Sequence, residues 1–85
     1  MSRPPQVTVK LFGAYRDVVG AEALARDLPL DRRLGALWQG LRAQWPALAD
    51  LESARLSAVN LDFAGDDTAL ADGDEVAFFP PVSGG

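Results

Sequence analysis

Val7, Val9 and Leu11 alternate with Thr8 and Lys10, a period of two that predicts a strand with one buried face. Phe12 falls on the Lys10 side, away from that face. Gly13 and Gly20 bracket Ala14 to Val19, which reads as a turn with a short helical stretch. Glu22, Leu24, Arg26 and Leu28 then alternate with small residues in a weaker second strand, expected to pair with the first as a hairpin. After Asp31 the period changes. Leu34, Leu37, Trp38, Leu41 and Trp45 fall at i, i+3, i+4, i+7 and i+11, the apolar stripe of an amphipathic helix. Asp31 is read as its N-cap, with Arg32 and Arg33 in the first turn against the helix dipole. Gly35 and Gly40 each cost about 1 kcal/mol relative to Ala, so packing must hold this helix. Pro46 stops it or opens a short second turn through Leu51.

Leu56 to Asn60 reads as a further strand, turned by Asn60, which tolerates the left-handed conformation. A short extended piece follows around Leu61 to Phe63, with no strand boundary readable over residues 61–69. Gly65-Asp66-Asp67 and Ala71-Asp72-Gly73-Asp74 are turn clusters, Leu70 between them is a lone apolar plug, and Glu75 to Phe79 is the last strand. The order β-β-α-β-(β)-β is that of an α+β domain. If Val76 and Phe78 face the helix, Phe79 is left on the open face of the sheet. There it either joins Phe12 in a docking patch or is covered by a loop.

Composition narrows the chemistry. Eighty-five residues, 48% of them hydrophobic, build one small core and leave no room for a second. No apolar run approaches the ~18 residues of a membrane span, so no membrane partner is expected. Met1 to Pro5 lacks the features of a secretory signal, and a cytoplasmic location is expected. The chain contains neither Cys nor His, which removes the thiol nucleophile, the imidazole base and soft metal sites; no metal is expected. A net charge of −4 argues against nucleic acid as a partner. The charge is uneven: residues 1–55 carry all 8 basic residues and 6 acidic ones, whereas residues 56–85 carry 6 acidic residues and no basic one. Asp62, Asp66, Asp67, Asp72, Asp74 and Glu75 are either solvated turn residues or a surface steered toward a basic pocket on a partner.

Beyond Phe79 the sequence runs Pro80-Pro81-Val82-Ser83-Gly84-Gly85. Two prolines cannot feed a sheet ladder and favour the stiff polyproline conformation, so residues 81–85 are expected to project as a tail from a domain spanning 1–80. Five extended residues reach roughly 17 Å, enough to enter a pocket on another protein. Gly84 and Gly85 lack side chains, can thread a narrow channel, and leave a terminal carboxyl carbon open to attack. A carboxylate is a poor electrophile and needs prior conversion to an adenylate or similar. No Gly-x-x-x-x-Gly-Lys-Ser/Thr loop is present, so ATP must be handled by a partner.

The run from Leu70 to Gly85, above all Phe79-Pro80-Pro81-Val82-Ser83-Gly84-Gly85, resembles the C-terminus of the molybdopterin synthase small subunits, ubiquitin-like β-grasp sulfur carriers. Leu11 to Gly20 resembles that family's first strand and loop, and Ala58-Val59-Asn60 its middle strand. The resemblance implies a mixed sheet of four to five strands packed on one main helix. It also implies a cycle in which an E1-like adenylating enzyme activates Gly85 with ATP and a persulfide donor supplies sulfur, giving a transient C-terminal thiocarboxylate. The resemblance implies no permanently bound cofactor. The small subunit then inserts its tail into a large subunit, in a complex of two small and two large subunits, and donates sulfur to a cyclic pyranopterin phosphate on the way to the molybdenum cofactor. By this analogy Gly85 carries the sulfur, Gly84 gives passage, Pro80, Pro81, Val82 and Ser83 form the inserted arm, and Phe12 and Phe79 dock the partner.

Three other readings use the same residues. A carrier for thiamine synthesis, tRNA thiolation or sulfur amino-acid synthesis shares the terminal chemistry, although the Pro80-Pro81 pair argues against the thiamine type. A ubiquitin-like modifier uses a terminal glycine for isopeptide bonds to lysine. A plain interaction module leaves the tail inert.

Overall fold

The computed structural model describes residues 3–81. β1 (Gln6–Leu11), β2 (Ala23–Asp27), β3 (Leu56–Val59), β4 (Asp62–Phe63) and β5 (Glu75–Phe79) form one sheet in the order β2-β1-β5-β3-β4. β1 and β5 run parallel at its centre, and the other neighbours are antiparallel. A short helix α1 (Gly13–Val19) and the main helix α2 (Leu34–Gln44), followed by a 3-10 turn (Pro46–Leu51), complete the chain. The expected mixed sheet on one main helix is thus present, and no helix among the described residues is long and apolar enough to cross a membrane.

The period-two residues do what their spacing requires. Val7, Val9 and Leu11 of β1 and Val76 and Phe78 of β5 are buried against Leu34, Leu37, Trp38 and Leu41 of α2. Trp38 is the hub: its ring lies 5.5 Å from Tyr15 and 5.0 Å from Phe78. Its indole N–H donates to Glu52 Oε2 at 2.8 Å, and the Arg55 guanidinium stacks on its face at 4.7 Å. Leu70 is buried as the expected plug, and Asn60 turns the chain with φ 50°. Asn60 also accepts from the Glu75 N–H at 3.0 Å and donates to Asp74 at 3.0 Å, fastening the β3–β4 turn to the start of β5.

The start of α2 corrects the sequence reading. Asp31 is not the N-cap: Arg33 holds that position without a side-chain bond, and Asp31 Oδ1 instead accepts from the Arg33 N–H at 3.0 Å. Arg32 takes φ 57° and its carbonyl accepts from Leu70 N, while Arg33 bridges Ala69, so both arginines precede the helix rather than sitting in its first turn. The first helical donors are capped by the loop from Gly65: Leu34 N–H donates to Thr68 O at 3.0 Å and Gly35 N–H to Asp66 O at 2.9 Å. Gly35 is needed for this approach, since a Cβ there would stand 3.0 Å from Asp66 Cβ.

Candidate functional site

The sheet's second face carries no helix. Odd-numbered residues of β5, even-numbered residues of β1 and β3, and Phe63 of β4 share it by register: Lys10 lies opposite Ala77, and Ala58 lies between Ala77 and Phe63. Because Ala58 and Ala77 are small, the centre of this face is hollow, and larger apolar residues wall it. The result is a groove of about 650 Å³ lined by Phe12, Ala58, Leu61, Phe63, Ala77 and Phe79, with Pro80 and Pro81 at its end. Phe12 and Phe79 meet edge to face with centroids 6.2 Å apart, and Phe63 completes the row 6.0 Å from Phe79.

The sequence-derived docking pair Phe12 and Phe79 is therefore brought together, and Pro80 and Pro81 join it. Val82, Ser83, Gly84 and Gly85 lie outside the described residues. Sequence reasoning missed Leu61 and Phe63, which are 91% and 79% exposed and enlarge the patch from two aromatics to a continuous wall. The signal was present in the spacing: two apolar residues flanking Asp62, just past the Asn60 turn, belong on one side of an edge strand. The open face therefore carries a continuous exposed apolar wall around a hollow, the kind of surface that in general suits contact with another protein.

The end of β5 and Pro80 are fixed beside this groove. β5 is a central strand, held by β1 and β3, so its end is anchored on both sides. Phe12 N–H donates to Phe78 O at 3.2 Å, tying the end of β5 to the start of α1. Pro80 then seats on Gly13, whose φ is 57° and where a Cβ would lie 2.9 Å from Pro80 Cγ.

Charge plays a smaller part. Glu75 is the charged residue that lines the groove, paired across the sheet with Lys10 at 3.3 Å. Half of the acidic set, Asp66, Asp72 and Asp74, bonds within or beside the turns that precede β5. Asp72 accepts from the Gln6 N–H at 2.8 Å and from Arg3, Asp74 accepts from the Ala71 N–H at 2.8 Å, and Asp66 pairs with Arg55. The backbone bond from Gln6, aided by Arg3, holds the Asp72 carboxyl below its ordinary value. The Trp38 indole, with Arg42 and Arg55, does the same for Glu52, and burial pushes the Tyr15 phenol up. None of these three shifted groups lines the groove, whose chemistry is apolar contact rather than proton transfer.

The ThiS family model matches residues 9–85. The molybdopterin synthase sulfur carrier subunit of Escherichia coli (strain K12) is 44% identical over 84 residues, covering 93% of this chain and 99% of that protein. Among solved structures, SAMP1 from Haloferax volcanii, a small archaeal modifier protein, superimposes with a TM-score of 0.81 at 31% identity, covering 94% of this chain and 99% of that one. A chain from the complex of subunits 1 and 2 of the molybdopterin-converting factor of Helicobacter pylori 26695 gives a TM-score of 0.66 at 25% identity, covering 94% and 99%. With a five-stranded mixed sheet on one main helix and a match that extends over nearly its whole length, the chain belongs to the ThiS family and has the ubiquitin-like β-grasp fold.

Proposed function

We propose that this protein is the sulfur carrier subunit of a molybdopterin synthase. The observation that carries the reading is the 44% identity to a sulfur carrier subunit across 99% of that protein. In this reading the groove walled by Phe12, Leu61, Phe63 and Phe79 docks on the large subunit, and Pro80 to Ser83 form the arm that the large subunit receives. A partner enzyme forms the Gly85 acyl-adenylate from ATP with release of pyrophosphate. A donor persulfide displaces AMP to give an acyl disulfide, and a thiol on the donor side cleaves that S–S bond, leaving the thiocarboxylate and a disulfide. Gly84 and Gly85 pass a channel too narrow for side chains, and sulfur is transferred to a cyclic pyranopterin phosphate. The chain contributes a rigid base, an apolar handle and a reactive end. Its partners contribute the nucleotide chemistry.

A second reading is a protein modifier, and the similarity to the Haloferax volcanii modifier supports it. Both use the same terminus and differ in the acceptor. Reconstitution with an adenylating enzyme, ATP, a persulfide donor and the large subunit separates them. Removing Gly84 and Gly85 is expected to abolish sulfur delivery and leave the melting temperature unchanged. Lysine-linked adducts in place of sulfur transfer would favour the modifier.

A further inference from the structure

The groove and the arm leave one edge of the sheet unassigned. β2 pairs with β1 on one side and has no strand on the other among the described residues. Its register shows which backbone groups are free. Glu22 O accepts from Leu11 N and Leu28 N donates to Pro5 O, so the even-numbered residues of this segment face β1. The N–H and C=O groups of Ala23, Ala25 and Asp27 therefore point outward, a template for another strand.

We propose that this edge pairs with the β2 edge of a second copy, antiparallel and two-fold symmetric, with Leu24 opposite Leu24. Side-chain order selects that register. The free groups belong to odd residues, so only registers that set odd residues opposite odd residues form the ladder. Centring on Ala25 sets Leu24 against Arg26 and Glu22 against Leu28. Centring on Arg26 or on Glu22 brings like charges together, and centring on Ala23 leaves Glu22 facing Leu24. Only centring on Leu24 sets Glu22 of each copy opposite Arg26 of the other, with the two leucines between them. Ala23 then exchanges backbone bonds with Ala25 of the second copy, and Ala21 with Asp27.

The surroundings suit this geometry. Leu24 lies opposite the buried Val9, so Glu22, Leu24 and Arg26 all point to the α2 side of the sheet. On α2, Gly40 stands beside Arg26, a Cβ there meeting only the guanidinium at 3.8 Å, and Ala36 and Ala43 share its helix face at i−4 and i+3. The flank that would meet the second copy's helix is small at these three positions, and Gln44 at i+4 accepts from the Arg26 guanidinium and holds it beside the helix. The opposite face bears Ala23 and Ala25, too short to obstruct. The pairing joins two sheets into one and leaves the groove uncovered in both copies.

Sedimentation equilibrium of the full chain over roughly 0.02–2 mM is expected to show the mass rising toward twice that of the monomer. Ala25→Pro removes an outward N–H without touching the β1 ladder and is expected to hold the protein at monomer mass with an unchanged circular dichroism spectrum. Glu22→Arg alone is expected to weaken association at least tenfold, and adding Arg26→Glu to restore it, because the pair is merely exchanged. A wild-type protein that stays monomeric across the range overturns the proposal. So does a dimer that survives Ala25→Pro, or a charge exchange that fails to rescue association.

Discussion

Truncating Phe63 to alanine separates docking from folding on the open face. In the free protein the side chain is 79% exposed, and its main aromatic contact is the Phe79 ring at 6.0 Å. A fully covered aromatic side chain removes about 150–250 Å² from water, so the fifth already covered accounts for roughly 30–50 Å², or about 1 kcal/mol at ~25 cal/mol per Å². The remaining four-fifths, roughly 120–200 Å², becomes available only when a partner covers the groove. Its area value of about 3–5 kcal/mol is an upper bound, because ordering and imperfect packing reduce it; a loss of about 2 kcal/mol is the working figure. Phe63→Ala should therefore cost no more than about 1 kcal/mol in urea denaturation and weaken large-subunit binding by about 30-fold in titration calorimetry. An affinity changed by less than about threefold would refute the assignment of this face to docking. A stability loss above ~3 kcal/mol would refute the placement of Phe63 outside the core.

Leu70→Ala, at the buried plug, is expected to cost about 2–4 kcal/mol in the same denaturation assay without altering the groove. Asn60→Ala should cost about 1–3 kcal/mol, since it loses both side-chain bonds and must keep φ at 50°, whereas Asn60→Gly relieves the backbone and costs less. The acid limb of the stability profile has an assigned origin. Glu52 and Asp72 titrate below their ordinary values of 4.5 and 3.8 in the fold, so their contribution is present above those values and is lost as pH falls through the lower folded ones. Glu52→Gln and Asp72→Asn should each flatten that limb when melting temperature is followed against pH. The alkaline limb has the opposite sign. The fold favours neutral Tyr15, so stability is full below 10.0 and declines as pH rises through it, a decline that Tyr15→Phe should reduce.

The parts of the fold that hydrophobic period controls were readable in advance. β1, β5 and the buried stripe of α2 follow from spacing alone because each buries one face against the other layer. Asn60 and Leu70 were readable because one residue type meets one local need. The start of α2 was not, since its caps come from Asp66 and Thr68, some thirty residues later, and no local pattern encodes a long-range cap. The groove was half legible. Phe12 and Phe79 stand out by parity in strong strands, but Phe63 belongs to a two-residue strand whose side is set by pairing with Ala58. Arg55 was invisible for a related reason: its value as a stacked cation depends on Trp38 and Phe78 lying beneath it.

The central claim is that the end of this chain, beyond the Pro80-Pro81 arm, carries sulfur. Mass spectrometry of the C-terminal peptide, isolated from the native cell during active synthesis of the pterin dithiolene, tests it most directly. A fraction of the peptide bearing one oxygen-for-sulfur exchange at Gly85 is the predicted result. A Gly85 that is chemically unaltered throughout, or found only in amide linkage to lysines of other proteins, would contradict it.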